Sequence, residues 1–98
     1  MSRETREGRK ILNKKGTVTD RAGKIAKVRF SLITTQDFID GIPTLRSASG
    51  TLEFESMGDA WAMTESTESK TLRGGGIQAE VILLSAEKFV TTGAIKDI

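Results

Sequence analysis

Apolar and polar residues alternate with a period of two along most of the chain, most cleanly over residues 24–33. There Ala26, Val28, Phe30 and Leu32 share one face while Lys27, Arg29 and Ser31 share the other. A strand with one side in a core and one in water shows this pattern. Upstream, residues 16–20 supply a partner strand, and Asp20-Arg-Ala-Gly23 has the Asp-first, Gly-last chemistry of a type I turn closing a hairpin. Residues 34–40 read as a loop or one helical turn, with Thr35 as its cap, and Gly41-Ile-Pro43 as punctuation. A second hairpin is expected from residues 44–47 and 51–56 about Ala48-Ser-Gly50. Gly58-Asp59 reads as a turn before a strand over 60–64, residues 65–70 as a polar loop, 77–85 as the longest strand and 88–92 as a final one. Val81 to Leu84 is apolar on both faces, as in a strand that becomes buried on two sides.

These segments predict a mainly β fold: a small single-domain β-barrel or roll of six to seven short antiparallel strands, with at most one short helical turn. A barrel is preferred, because closure removes the strand edges that so short a chain has little material to cover. The domain is expected over residues 10–98, with residues 1–9 as a flexible basic arm, since Gly8 interrupts them and they have no apolar face.

Composition narrows the chemistry. At 98 residues, 37% hydrophobic and 29% charged, the chain builds one modest core. It has no cysteine, which excludes disulfides, zinc–thiolate sites and iron–sulfur clusters, and no histidine, the usual proton shuttle and commonest transition-metal ligand. No metal site, cofactor or catalytic residue is assigned. The N-terminal stretch lacks an apolar signal region and no apolar run approaches a membrane span, so the expectation is a cytoplasmic protein with no membrane partner.

Charge is divided unevenly. Residues 1–30 hold ten basic and three acidic residues, net +7, and the remaining 68 hold five and ten, net −5. Lys10, Lys14, Lys15, Arg21, Lys24, Lys27 and Arg29 fall on the first hairpin and its approach. Such a surface suits a polyanion, either nucleic acid or a nucleotide. The same charges also fit a solvated face, or one pairing with Glu53, Glu55, Asp59, Glu65 and Glu68 in the same or another copy.

Other features are less specific. Gly74-Gly75-Gly76 offers bare amides to an anion, but no Lys-Ser/Thr follows and the next element reads as a strand, so a hairpin or bulge is expected. Arg3, Arg6 and Arg9 with Asp20-Arg-Ala-Gly23 resemble in outline the arginine motif and Asp-x-Ser-x-x-Gly turn of PilZ-type cyclic-dinucleotide receptors, which are small β-barrels. The turn here lacks the serine and reaches glycine two places early, so the chain is assigned to no family. Asp37 with Asp40 and Glu65 with Glu68 match no calcium loop and read as turn or surface carboxylates. Trp61 and Met63, with Ile82 and Leu84 from the two-sided apolar run, are candidates for an interface or an apolar ligand, against the commoner role of filling a core. The leading expectation is a non-enzymatic binding or adaptor module that meets an anionic partner through its basic hairpin. The alternative is a self-assembling subunit, and a homo-oligomer is expected in either case.

Overall fold

Continuous period-two stretches at the start of the chain form longer strands than the turn residues imply. The computed structural model describes residues 2–93 and 95–98. In it β1 (Arg3–Thr19), β2 (Ile25–Ile39) and β3 (Ile42–Phe54) make an antiparallel meander. After β3 come α1 (Met57–Thr64), β4 (Lys70–Gly74), β5 (Ile77–Leu83), β6 (Lys88–Thr91) and the two-residue β7 (Lys96–Asp97). The strands are ordered β4-β1-β2-β3-β6-β5, and β4 pairs back with β5, giving a closed six-stranded antiparallel barrel. The seventh strand, β7, adds to β5 at Ile77 and Gln78.

The inward faces follow the alternation. Ala26, Val28, Phe30 and Leu32 of β2 are all buried, and they meet Val18, Leu72, Ile77, Val81 and Phe89 from around the barrel. β4 is joined to β1 only over residues 16–19, and β6 to β3 only over residues 49–51. The front halves of β1 and β3 and the back half of β2 therefore run on beyond the barrel as a three-stranded ribbon. That ribbon stretches the molecule to 47 × 24 × 20 Å.

Five local expectations are corrected. Residues 3–9 are not a free arm but the first half of β1, paired with β2; Met1 lies outside the described residues. Residues 34–40 are neither loop nor helical turn. β2 continues to Ile39, and Asp40-Gly41, with left-handed φ values of 51° and 80°, makes a two-residue turn whose twist matches the right-handed twist of the flanking strands. The second hairpin is a single strand, β3, passing straight through Gly50. A side chain at Gly50 would collide with the Ser31 carbonyl oxygen and sit 2.9 Å from the Phe89 ring, so this glycine serves close packing rather than a turn. Finally, residues 57–64 are helical. Ser56 caps the helix by accepting the Asp59 amide at 3.4 Å, and the buried Met63 fastens it to the core. Residues 77–85 likewise shorten to β5, which ends at Leu83 and leaves Leu84 exposed.

A candidate anion-binding wall on the barrel

β1, β2 and β4 lie side by side, and their outward residues form one wall. Lys15 stands directly opposite Arg29, and Thr17 is flanked by Lys27 on β2 and Arg73 on β4. Neighbouring strands are about 4.8 Å apart, so Lys27 and Arg73 sit roughly 10 Å from each other across Thr17, with Lys15 and Arg29 in the next row. All four cations are exposed. Among the described residues, none of them lies within ion-pair distance of a carboxylate. Glu53 is Arg29's cross-strand neighbour on β3 and marks where the positive wall gives way to the acidic side.

Glycine closes the wall at its centre. Gly16 pairs with Gly74, and a Cβ on either would lie 2.5 Å from a carbonyl of the other strand, Arg73 for the first and Lys15 for the second. Bare backbone lets β1 and β4 approach closely there, with the Phe30 ring filling the space beneath. Just upstream, a bulge between Ile11 and Lys14, with Asn13 at φ 53°, re-phases β1. Lys15 is thereby turned outward, and Lys14 is left at the barrel rim with its stem against Gly75.

Of the seven cations singled out in the sequence, the structure gathers Lys15, Lys27 and Arg29. Lys24 approaches Asp59 at 3.8 Å, and Lys10 pairs with Glu7 at 3.0 Å on the ribbon. Arg21 donates to Ser69 at 3.2 Å. Arg73 was missed. Its outward phase is readable from Leu72 beside it, but its place on the wall depends on β4 closing against β1, a contact between distant segments.

The other candidates separate. Trp61 is 74% exposed and Met57 88%, four residues apart on α1, whereas Met63 is fully buried and cannot serve an interface. Leu84 is exposed and Ile82 half-buried on the outer face beside Val90. Gly75 and Gly76, at φ 57° and 82°, make the tight β4–β5 turn. Asp37 accepts from the Thr5 hydroxyl at 2.8 Å and from Arg3 at 2.9 Å, which holds its carboxyl below the ordinary range, hydroxyl first. Asp40 instead accepts from the Ser2 amide. Lys70, the one buried charge among the described residues, is satisfied by the carbonyls of Ser66 and Glu68 at 2.9 and 3.0 Å.

Hollows outside the core flank both the ribbon and the wall. A cleft of about 780 Å³ between ribbon and barrel is lined by Leu45, Ala48 and Ile95 together with hydroxyls and two arginines, Arg9 and Arg46. Both are engaged: Arg9 with Asp97 at 2.6 Å, and Arg46 with Gln36 at 3.2 Å. A second hollow of about 420 Å³ beside Arg29 mixes Glu53, Glu87 and Lys88. Among the described residues no group of three or more acids, histidines or cysteines could hold a metal, and no helix is long and apolar enough to cross a membrane. Comparison with protein-family models, curated proteins and solved structures finds no match, for the cyclic-dinucleotide receptors or any other family.

Proposed function

We propose that the protein is a non-enzymatic binding module whose barrel wall docks on the phosphate backbone of nucleic acid. The observation that supports this reading is the cluster of four cations, Lys15, Lys27, Arg29 and Arg73, around Thr17 on one outer face, none in an ion pair among the described residues. Cations spread over a wall, rather than converging in a cavity, suit a polymer of phosphates better than one nucleotide. The wall carries no aromatic side chain to stack on a base, so contacts stay with the backbone and are indifferent to sequence.

Salt titration tests the reading. If four phosphates are neutralised on duplex DNA, the logarithmic salt slope is about −3.6, and affinity falls roughly 100-fold between 50 and 200 mM salt. The pair Lys27→Gln and Arg29→Gln removes two contacts and should halve that slope while leaving the fold unchanged. Absence of binding at low salt, or a slope indifferent to the double variant, contradicts the proposal.

A further inference from the structure

The ribbon has two open edges, and they are built differently. On the β3 side, Pro43 withholds a backbone donor and the register shifts between Gln36 and Phe38, both devices that discourage another strand from adding. On the β1 side, residues 3–7 pair with β2 in unbroken register, from Arg3–Ile39 to Glu7–Thr35, before the bulge between Glu7 and Lys10. Their other flank meets no strand among the described residues, since β4 joins β1 only at 16–19. No proline guards this edge.

Its backbone phase is fixed by one bond. The Ser2 carbonyl accepts the Asp40 amide at 2.9 Å, so the polar groups of Ser2, and by alternation those of Glu4 and Arg6, point to β2. Those of Arg3, Thr5 and Glu7 point outward. The sequence over these positions is Arg-Glu-Thr-Arg-Glu. Reversed against itself about Thr5, it sets Arg3 opposite Glu7 and Glu4 opposite Arg6, with neutral Thr5 facing its own copy.

We propose that two copies of the protein join edge to edge through residues 3–7 of β1, antiparallel about a two-fold axis at Thr5. Thr5–Thr5 and the two Arg3–Glu7 pairs have outward amides and carbonyls, so each exchanges two backbone hydrogen bonds. Glu4 and Arg6 occupy the intervening pairs. They already bond within one chain at 2.9 Å, and across the axis they close into a four-membered ring of alternating charge. Other registers in which outward groups face outward groups fail on charge. Centring on Arg3, Glu4, Arg6 or Glu7 sets that residue against its own like-charged copy, which opposes pairing. The result is an isologous interface that closes after two copies and joins two three-stranded ribbons into one six-stranded sheet. It is independent of the proposed nucleic-acid wall, which lies on the barrel.

The test is sedimentation of the full chain with two charge-sorted variants. Arg3→Glu with Arg6→Glu makes the edge acidic throughout, and Glu4→Arg with Glu7→Arg makes it basic throughout. The unaltered chain is expected to sediment at twice its 10.6 kDa mass at high concentration, reverting to monomer as salt is raised. Each variant alone should stay monomeric with a circular dichroism spectrum that still reports the folded barrel, although Arg3→Glu also removes the Arg3–Asp37 pair, and an equimolar mixture should restore the doubled mass. A parent chain monomeric up to about 1 mM overturns the proposal. So does either variant dimerising alone, or a mixture of folded variants that stays monomeric.

Discussion

Met63→Ala separates the two apolar residues that α1 carries. Met63 is fully buried in the barrel core, while Trp61, two positions earlier, is 74% exposed. Truncating a buried methionine removes its transfer free energy and leaves a cavity, together about 2–5 kcal/mol. For a domain of 98 residues with a total stability of roughly 5–15 kcal/mol, that is a large fraction. Each kcal/mol corresponds to about 4–8 °C in a domain of this size, so Tm should fall by at least about 8 °C. An eight-residue helix does not persist without tertiary contacts, and Met63 is its one buried residue, so loss of helical circular dichroism should accompany or precede the main transition. Met63→Leu, which conserves volume, should cost less than about 1.5 kcal/mol. Trp61→Ala should stay within about 0.5 kcal/mol at low protein concentration. A Met63→Ala cost below about 1 kcal/mol, or a Trp61→Ala cost equal to it, would refute this assignment of which side chain faces the core.

Two further outcomes follow from single positions. Gly50→Ala should lose about 3 kcal/mol or fail to fold, because its methyl meets the Ser31 carbonyl and the Phe89 ring, whereas Gly58→Ala on α1 has room and should gain about 0.5 kcal/mol; urea titration of the pair distinguishes packing from backbone freedom. Asp37 has its folded pKa lowered by the Thr5 hydroxyl and Arg3, so its contribution to holding β1 on β2 is complete above about pH 4 and is lost as pH falls through the lower folded value. An NMR titration of the Asp37 carboxyl that gives an ordinary or raised midpoint contradicts that pairing.

The barrel was legible because its signal is local. Residues 26, 28, 30 and 32 point inward as alternation requires, and the Asp20–Gly23 turn forms with the Gly23 amide donating to the Asp20 carbonyl at 3.2 Å. The errors came where one residue type serves two purposes. Gly50 reads as a turn residue, yet its role is to let β2 and Phe89 approach β3. Asp40-Gly41 is a strong hairpin signal, but with Pro43 close behind and Phe38 and Ile39 ahead it reads as part of a longer loop. Residues 57–64 are too few for a helical period to emerge, and the cap at Ser56 was the usable sign. For the candidate wall, outward phase was readable for Lys27 and Arg29. The inclusion of Arg73 and the diversion of Lys10 and Lys24 to Glu7 and Asp59 depend on which distant strands meet.

The basic excess of the first thirty residues conflated two surfaces. Residues 1–10 carry four basic and two acidic residues, net +2, and residues 11–30 carry six and one, net +5. The first group lies on a ribbon edge where the signs alternate along the strand and Arg6–Glu4 and Lys10–Glu7 already neutralise each other. The second lies largely on the closed barrel, where Lys15, Lys27 and Arg29 form no ion pair among the described residues and Glu53, across from Arg29, marks the wall's edge. Alternating charge on an open edge is specific for a matching edge, because register decides whether each pair attracts or repels. Uniform charge on a closed wall has no register and attracts any polyanion. Closure of the barrel settles which behaviour each segment is free to show. It consumes the edges of β1 from residue 16 onward and leaves that stretch only its outward side chains, while residues 3–7 keep unpaired backbone as well. A window sum of charge reports +7 for both together; the order of signs along the strand is what distinguishes the edge proposed to meet a second copy from the wall proposed to meet phosphates.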